Sequence, residues 1–205
     1  MAPQFTIFAT VDMSRTIELR ARLQESGTPA TYNDIFIRAV ALALASIPTM
    51  NARYEHARIV PQEHIDIGVV IATKGAQTFG SVQDAESLSL GEISRQTQRL
   101  GHAAWDGTAP DAAETRPAAF TVSNLGMYGV SKFAGYVVPC QAGLLSVGAI
   151  EQQPVCTGSS GVQVRPVVEL GLTCDHRVVA AADAAFFSQL LGELLTDDIE
   201  ALGAA

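Results

Sequence analysis

Positive charge is scarce in this sequence. Thirteen Lys and Arg stand against 21 Asp and Glu in 205 residues, a formal net charge of −8. Without a basic cluster, nucleic acid is not an expected partner, and the acidic surface favours solubility. Cysteine is scarce as well. Cys140, Cys156 and Cys174 are odd in number and lack metal-ligand spacing, so reduced thiols and a cytoplasmic location are the expectation. The four histidines, His56, His64, His102 and His176, show neither HxH nor HxxxH spacing, so no metal is expected. The first three read as solvated surface residues. Long hydrophobic runs are missing. The longest, Ala39 to Ala45, falls far short of the ~20 residues a membrane helix needs. The N-terminus carries no basic region ahead of an apolar run, so no secretory signal is expected.

Hydrophobic residues are plentiful. They make up 48% of the chain against 17% charged, enough for a sizeable core in a single domain spanning 1–205. Phe5 to Val11 alternates as a strand. Asp12 or Ser14 caps a helix over roughly Arg15 to Glu25, and Gly27 stops it. Thr31 and Asp34 form an acidic variant of the capping box, opening a helix that is apolar nearly all round through Ile47 and is therefore buried. Asn51 to Tyr54 reads as a turn, and Ala57 to Val60 as a short strand. Ile65 to Thr73 is apolar on both faces, as a central strand would be. Gly75 to Gly80 reads as a turn. Ser89 and Glu92 form a second capping box opening a helix to about His102, and Trp105 to Arg116 reads as a loop. Ala119 to Val122 and the pair Gly143 to Ile150 and Gln163 to Leu172 read as strands, the last two joined by a turn at Gly158 to Gly161. A closing helix runs from about Ala180 to Ala201, with Phe186, Phe187, Leu190, Leu191, Leu194 and Leu195 on its apolar face.

Two stretches carry chemistry. The apolar run through Val168, Leu170 and Leu172 ends in Cys174-Asp175-His176-Arg177, which places one imidazole at a sheet edge. Imidazoles titrate near neutrality and can take a proton at one step and return it at the next. Upstream, the strand at Val122 ends in Ser123-Asn124-Leu125-Gly126, where a hydroxyl and open backbone can approach a ligand.

Together, Phe120 to Val130 and Cys174 to Val179 resemble the signature segments of the dihydrolipoyl acyltransferase catalytic domain, the acyl-transferring component of 2-oxo acid dehydrogenase complexes and a relative of chloramphenicol acetyltransferase. Phe5 to Met13, Asn33 to Ala45, Asn51-Ala52, Ile65 to Thr73 and Gly143 to Ile150 agree with the resemblance, which runs in order over almost the whole chain. It implies an α/β two-layer sandwich with a mixed β-sheet and helices on one face. It implies a homotrimer with each active site between two subunits. It implies that His176 is the general base and Ser123, from the adjacent subunit, the oxyanion donor, with Asn124, Leu125, Gly126, Asp175 and Arg177 around the substrate. Coenzyme A or a lipoyl group would be the acyl carrier, and a carrier protein or dehydrogenase-complex component a partner. A thiol of pKa about 8.5 is mostly protonated at neutral pH, so a base helps.

The chain departs from the family pattern at several places. In H-x-x-x-D-G the last two positions are here Ala180 and Ala181. Alanine makes no polar contact, and a helix starting earlier or running straighter is expected. The aligned strand after the central one reads Phe79 to Val82. The basic segment after the third helix is stripped of cations at His102 to Gly107, which weakens the case for a phosphate-rich ligand. Cys140 stands where proline is usual and reads as a buried thiol. The tail Thr196 to Ala205 lacks the apolar ending that joins trimers into cages, so an isolated trimer is expected. No lipoyl or subunit-binding domain precedes the fold, which fits either an excised catalytic domain or a free-standing enzyme. The alternative to an enzyme is an impaired relative serving as a trimeric scaffold or binding component.

Overall fold

The computed structural model describes residues 2–73, 76–108, 116–156 and 161–203; at residues 72, 73, 76 and 77 it describes the backbone alone. Helix α2 (Tyr32–Ser46) is the middle of the core. Its start is set by the Thr31–Asp34 capping box. Thr31 N–H donates to the Asp34 carboxylate at 2.8 Å, and Asp34 N–H donates to Thr31 Oγ1 at 3.2 Å. Two orphan donors of the first turn are thereby satisfied. From Asp34 to Ala41 every residue is buried, as the all-round apolar pattern requires.

Six strands form one mixed sheet. In chain order they are β1 (Gln4–Asp12), β4 (Ile67–Thr73), β5 (Ala76–Val82), β6 (Phe120–Asn124), β7 (Gly143–Cys156) and β8 (Val162–Asp175), and in space they run β1-β8-β7-β6-β4-β5. The β4–β6 and β6–β7 pairs are parallel; β1–β8, β7–β8 and β4–β5 are antiparallel. Helices α1 (Ser14–Glu25), α2, α3 (Leu90–Asp106), α4 (Ala181–Thr196) and α5 (Ile199–Gly203) complete the described elements, with a hairpin of β2 (Ala52–Glu55) and β3 (Arg58–Pro61) apart from the main sheet.

Alternation divides the sheet's two faces. Val11, Val69, Phe120, Val122, Leu145, Val147, Val168, Leu170 and Leu172 join the core beneath the helices. There the Phe120 and Phe187 rings sit 5.4 Å apart. The opposite face is polar. It pairs Thr6 with Thr173 at 2.9 Å, Thr10 with Glu169 at 2.5 Å and Thr121 with Gln141 at 2.6 Å. The irregular segment 130–139 runs across this second face. Gly135 N–H donates to Ser146 Oγ at 3.0 Å, and Lys132 lies 4.0 Å over the Phe8 ring.

The two-layer α/β sandwich is therefore present, and both capping boxes form. Several local expectations are corrected. Residues 76–80, read as part of a turn, belong to β5, because Thr78, Phe79 and Val82 favour a strand and pair antiparallel with β4 despite the flanking glycines. Asn51 to Tyr54, read as a turn, largely forms β2, which pairs with β3. The β4 strand is next to the sheet edge rather than at its centre. Trp105 lies in α3, which ends at Gly107 in a left-handed conformation, φ 71°; the rest of the expected loop, 109–115, lies outside the described residues, as does the turn at 157–160. The closing helix breaks after Thr196 and resumes as α5 at Ile199. Its first residue is Ala181, and its N-cap, Ala180, offers no side-chain hydrogen bond. Of its expected apolar face, Phe186 is 56% exposed. Cys140 is exposed, not buried, with φ 72°.

Candidate active site

His176 follows directly on the last residue of β8. Its backbone N–H donates to the Pro3 carbonyl at 2.9 Å, which ties it to the start of β1. Its exposed ring meets the Phe5 ring edge-on, centroids 4.9 Å apart at 63°. Nδ1 lies 3.1 Å from the Val179 carbonyl oxygen. A carbonyl only accepts, so this contact requires the proton on Nδ1 and, in the neutral ring, leaves Nε2 with its lone pair. Nothing local in the sequence signals this contact, which depends on the tight turn Asp175–Val179. That turn is closed by Val178 and Val179 N–H donating to the Asp175 carbonyl at 3.0 and 2.9 Å.

Asp175 and Arg177, read as substrate contacts, are engaged with each other. Asp175 is 2% exposed. Its Oδ1 accepts from the Arg177 backbone N–H and from Nε, both at 3.0 Å, and its Oδ2 accepts from Nη2 at 2.5 Å. Burial pushes the carboxyl pKa up, but the Arg177 hydrogen bonds and charge outweigh it and hold the group below the usual carboxylate range. Arg177 is in turn shifted up by the bond to Asp175. The guanidinium lies 3.8 Å over the Tyr54 ring. Next door, burial and then the Asp175 charge push the Cys174 thiol up to about 12.

Ser123 stands half-buried near the end of β6, on the polar face of the sheet beside Ser146. Asn124, Leu125 and Gly126 build the turn after it. The Asn124 Oδ1 accepts from Gly126 N–H at 2.9 Å, and Leu125 N–H donates to the Val147 carbonyl at 3.1 Å. A side chain at Gly126 would collide with the Gly148 carbonyl, so glycine is what lets this turn lie against β7. A cavity of about 620 Å³ opens beside the turn on the helix side, lined by Tyr32, Asn33, Phe36, Asn124 and Tyr128 among others. None of its described lining side chains is charged.

Register fixes the spacing of the two chemical groups. Ser123 pairs with Ser146, and Ser146 pairs with Gly171. His176 lies five residues beyond Gly171 on β8. At the usual strand rise and spacing this separates them by about 19 Å, so a single chain does not bring Ser123 and His176 to one reacting atom.

A mixed six-stranded sheet under a helical layer is the architecture of the chloramphenicol acetyltransferase fold class. Chloramphenicol acetyltransferase itself superposes with a TM-score of 0.62 at 17% identity over 95% of this chain and 86% of the other. Within that class, the family model for the 2-oxoacid dehydrogenases acyltransferase catalytic domain matches residues 1–203, and the chain belongs to that family. A probable dihydrolipoamide acetyltransferase of Listeria monocytogenes superposes at TM-score 0.87 and 27% identity, over 95% of this chain and 84% of that one. The dihydrolipoamide acetyltransferase of Azotobacter vinelandii does so at 0.88 and 25% identity, over 98% and 84%. Among curated proteins, the mitochondrial dihydrolipoyllysine-residue acetyltransferase component of the pyruvate dehydrogenase complex from Schizosaccharomyces pombe is 31% identical over 98% of this chain. That alignment covers 42% of the yeast protein; the chain spans about half the length of the curated relatives it matches.

Proposed function

We propose that this domain transfers an acyl group from a thioester to a thiol, with His176 as general base and Ser123 of a neighbouring copy as oxyanion donor. The observation that carries the reading is the Nδ1 contact with the Val179 carbonyl, which leaves Nε2 at an exposed strand end as the proton acceptor. Nε2 takes the proton of the acceptor thiol. The thiolate attacks the thioester carbonyl, and the tetrahedral oxyanion accepts a hydrogen bond from the Ser123 hydroxyl. Collapse breaks the bond to the carrier sulfur, which leaves with the proton held on Nε2. A positioned base contributes about 10²–10⁴ in rate, and one oxyanion donor about 10²–10³.

The separation of His176 and Ser123 within one chain supports a site shared by two subunits, and the homotrimer is the assembly the family resemblance points to. The Azotobacter structure belongs to work on a serine, a histidine and an asparagine in that enzyme's catalytic mechanism, which favours the same pair here. The carrier is a lipoyl group, as the names of the relatives imply for them, or coenzyme A. A carrier protein or a dehydrogenase complex supplies the partner. The test is acetyl transfer from acetyl-coenzyme A to dihydrolipoamide by wild type and His176→Ala: a loss of about 10²–10⁴ in kcat is expected, and unchanged turnover refutes the role of the base.

A further inference from the structure

We propose that Tyr54 is a positioning residue for His176, acting through the Arg177 guanidinium that its ring carries. The inference rests on His176 being the base.

The turn that holds the imidazole has few polar restraints. At its far end Ala180 caps α4 without a side-chain hydrogen bond; among the described residues, Asp175 anchors the Arg177 N–H of the turn, and the His176 ring itself meets the Val179 carbonyl. The Asp175 carboxylate binds the Arg177 N–H and both ends of the Arg177 fork. Arg177 is the looser member of the pair: its side chain is 34% exposed and has solvent to swing into, whereas that of Asp175 is 3% exposed. The Tyr54 ring blocks that movement, with the guanidinium carbon 3.8 Å from its centroid. A flat cation against an aromatic face is attractive and directional.

Both halves of this stack rest on one strip of backbone. Tyr54 N–H donates to the Cys140 carbonyl at 2.8 Å, and Asp175 N–H donates to the Ala142 carbonyl at 2.9 Å. Between them, Gln141 is buried, bridges to Arg53 and accepts from Thr121 Oγ1 at 2.6 Å. The ring on β2 and the carboxylate on β8 are thus set at a fixed spacing, and the guanidinium fits between them. Tyr54 clamps Arg177, Arg177 holds Asp175, and Asp175 closes the turn whose Val179 carbonyl orients Nδ1. Tyr54 reaches the chemistry through this chain of contacts.

The experiment compares Tyr54→Phe, which keeps the ring, with Tyr54→Leu, which keeps apolar bulk but loses the π face. Kinetics are read alongside the ring-nitrogen NMR of His176, which reports its tautomer without turnover. Tyr54→Phe is expected within about twofold of wild type. Tyr54→Leu is expected to lose about tenfold in kcat with KM unchanged, and to mix the Nδ1–H and Nε2–H tautomers. An unchanged kcat and tautomer in Tyr54→Leu, with His176→Ala inactive, overturns this inference alone. An active His176→Ala instead overturns the base on which it rests. Should Tyr54→Leu lose its cooperative unfolding, Tyr54→Trp is substituted: wild-type kcat and tautomer support the ring's role, and a loss equal to that of Arg177→Ala overturns it.

Discussion

Replacing Asp175 with Asn tests the turn that carries the imidazole. The substitution keeps the shape and one acceptor oxygen but removes the charge that Arg177 faces. Asp175 is 2% exposed, so its partner contacts are little screened, while the Arg177 side chain is 34% exposed and lessens the effect. Hydrogen bonds to charged groups contribute about 1.5–3 kcal/mol, and the lower half of that range, about 2 kcal/mol, is expected here. In a domain of this size that lowers Tm by roughly 4–8 °C. The pH dependence supplies a sharper check. The folded carboxyl pKa lies below its unfolded value because Arg177 outweighs the burial that opposes it. The contribution is therefore fully present above the unfolded value of about 3.9 and fades as pH falls through the folded one. Denaturant unfolding of both proteins from pH 7 to pH 3 reads this directly. The gap between wild type and Asp175→Asn is expected to be widest near pH 7 and to narrow below about pH 4. Equal stabilities at pH 7, or a gap as wide at pH 3, refute the reasoning.

Three further outcomes follow from the same structure. Cys140 and Cys156 are exposed and Cys174 is buried, so a thiol reagent is expected to titrate two groups in the native protein and the third only on unfolding; prompt reaction of all three contradicts the placement of Cys174. Phe187 is fully buried against Phe120, and Phe187→Ala is expected to cost about 3–5 kcal/mol in denaturant unfolding; a loss under 1 kcal/mol speaks against the core described. Gly126→Ala is expected to lower kcat by displacing the turn from the Gly148 carbonyl, whereas Gly192→Ala in α4, whose added carbon meets nothing within 4 Å, raises helix stability by up to ~1 kcal/mol and leaves kcat alone; the reverse order in kcat counts against the site assignment.

Elements with local, self-announcing chemistry were legible in the sequence. Thr31 with Asp34 and Ser89 with Glu92 mark helix starts because the bonds that cap them span three residues. The β8 run into Asp175-His176-Arg177 is visible because one segment holds both the apolar stretch and the polar end. Residues 76–80 look like a turn because Gly75 and Gly80 bracket them, whereas Thr78 and Phe79 favour a strand that forms only by pairing with β4. The role of Tyr54 is invisible for a related reason: its ring meets Arg177 across the fold, and nothing near residue 54 points to that distant cation. The Nδ1 contact with Val179 was equally hidden, since a backbone carbonyl leaves no mark in a sequence. The positive φ of Cys140 has no local signal either, because that conformation is the province of glycine and asparagine.

The central claim is that one chain's imidazole works with another chain's hydroxyl. Subunit complementation measures it most directly: His176→Ala and Ser123→Ala chains are unfolded together, refolded as a mixture, and assayed for acetyl transfer. A site pairing His176 of one variant with Ser123 of the other is intact, so activity is expected to return to about a quarter of wild type with random mixing in a cyclic assembly. Activity no higher than the average of the two parents would contradict the shared site.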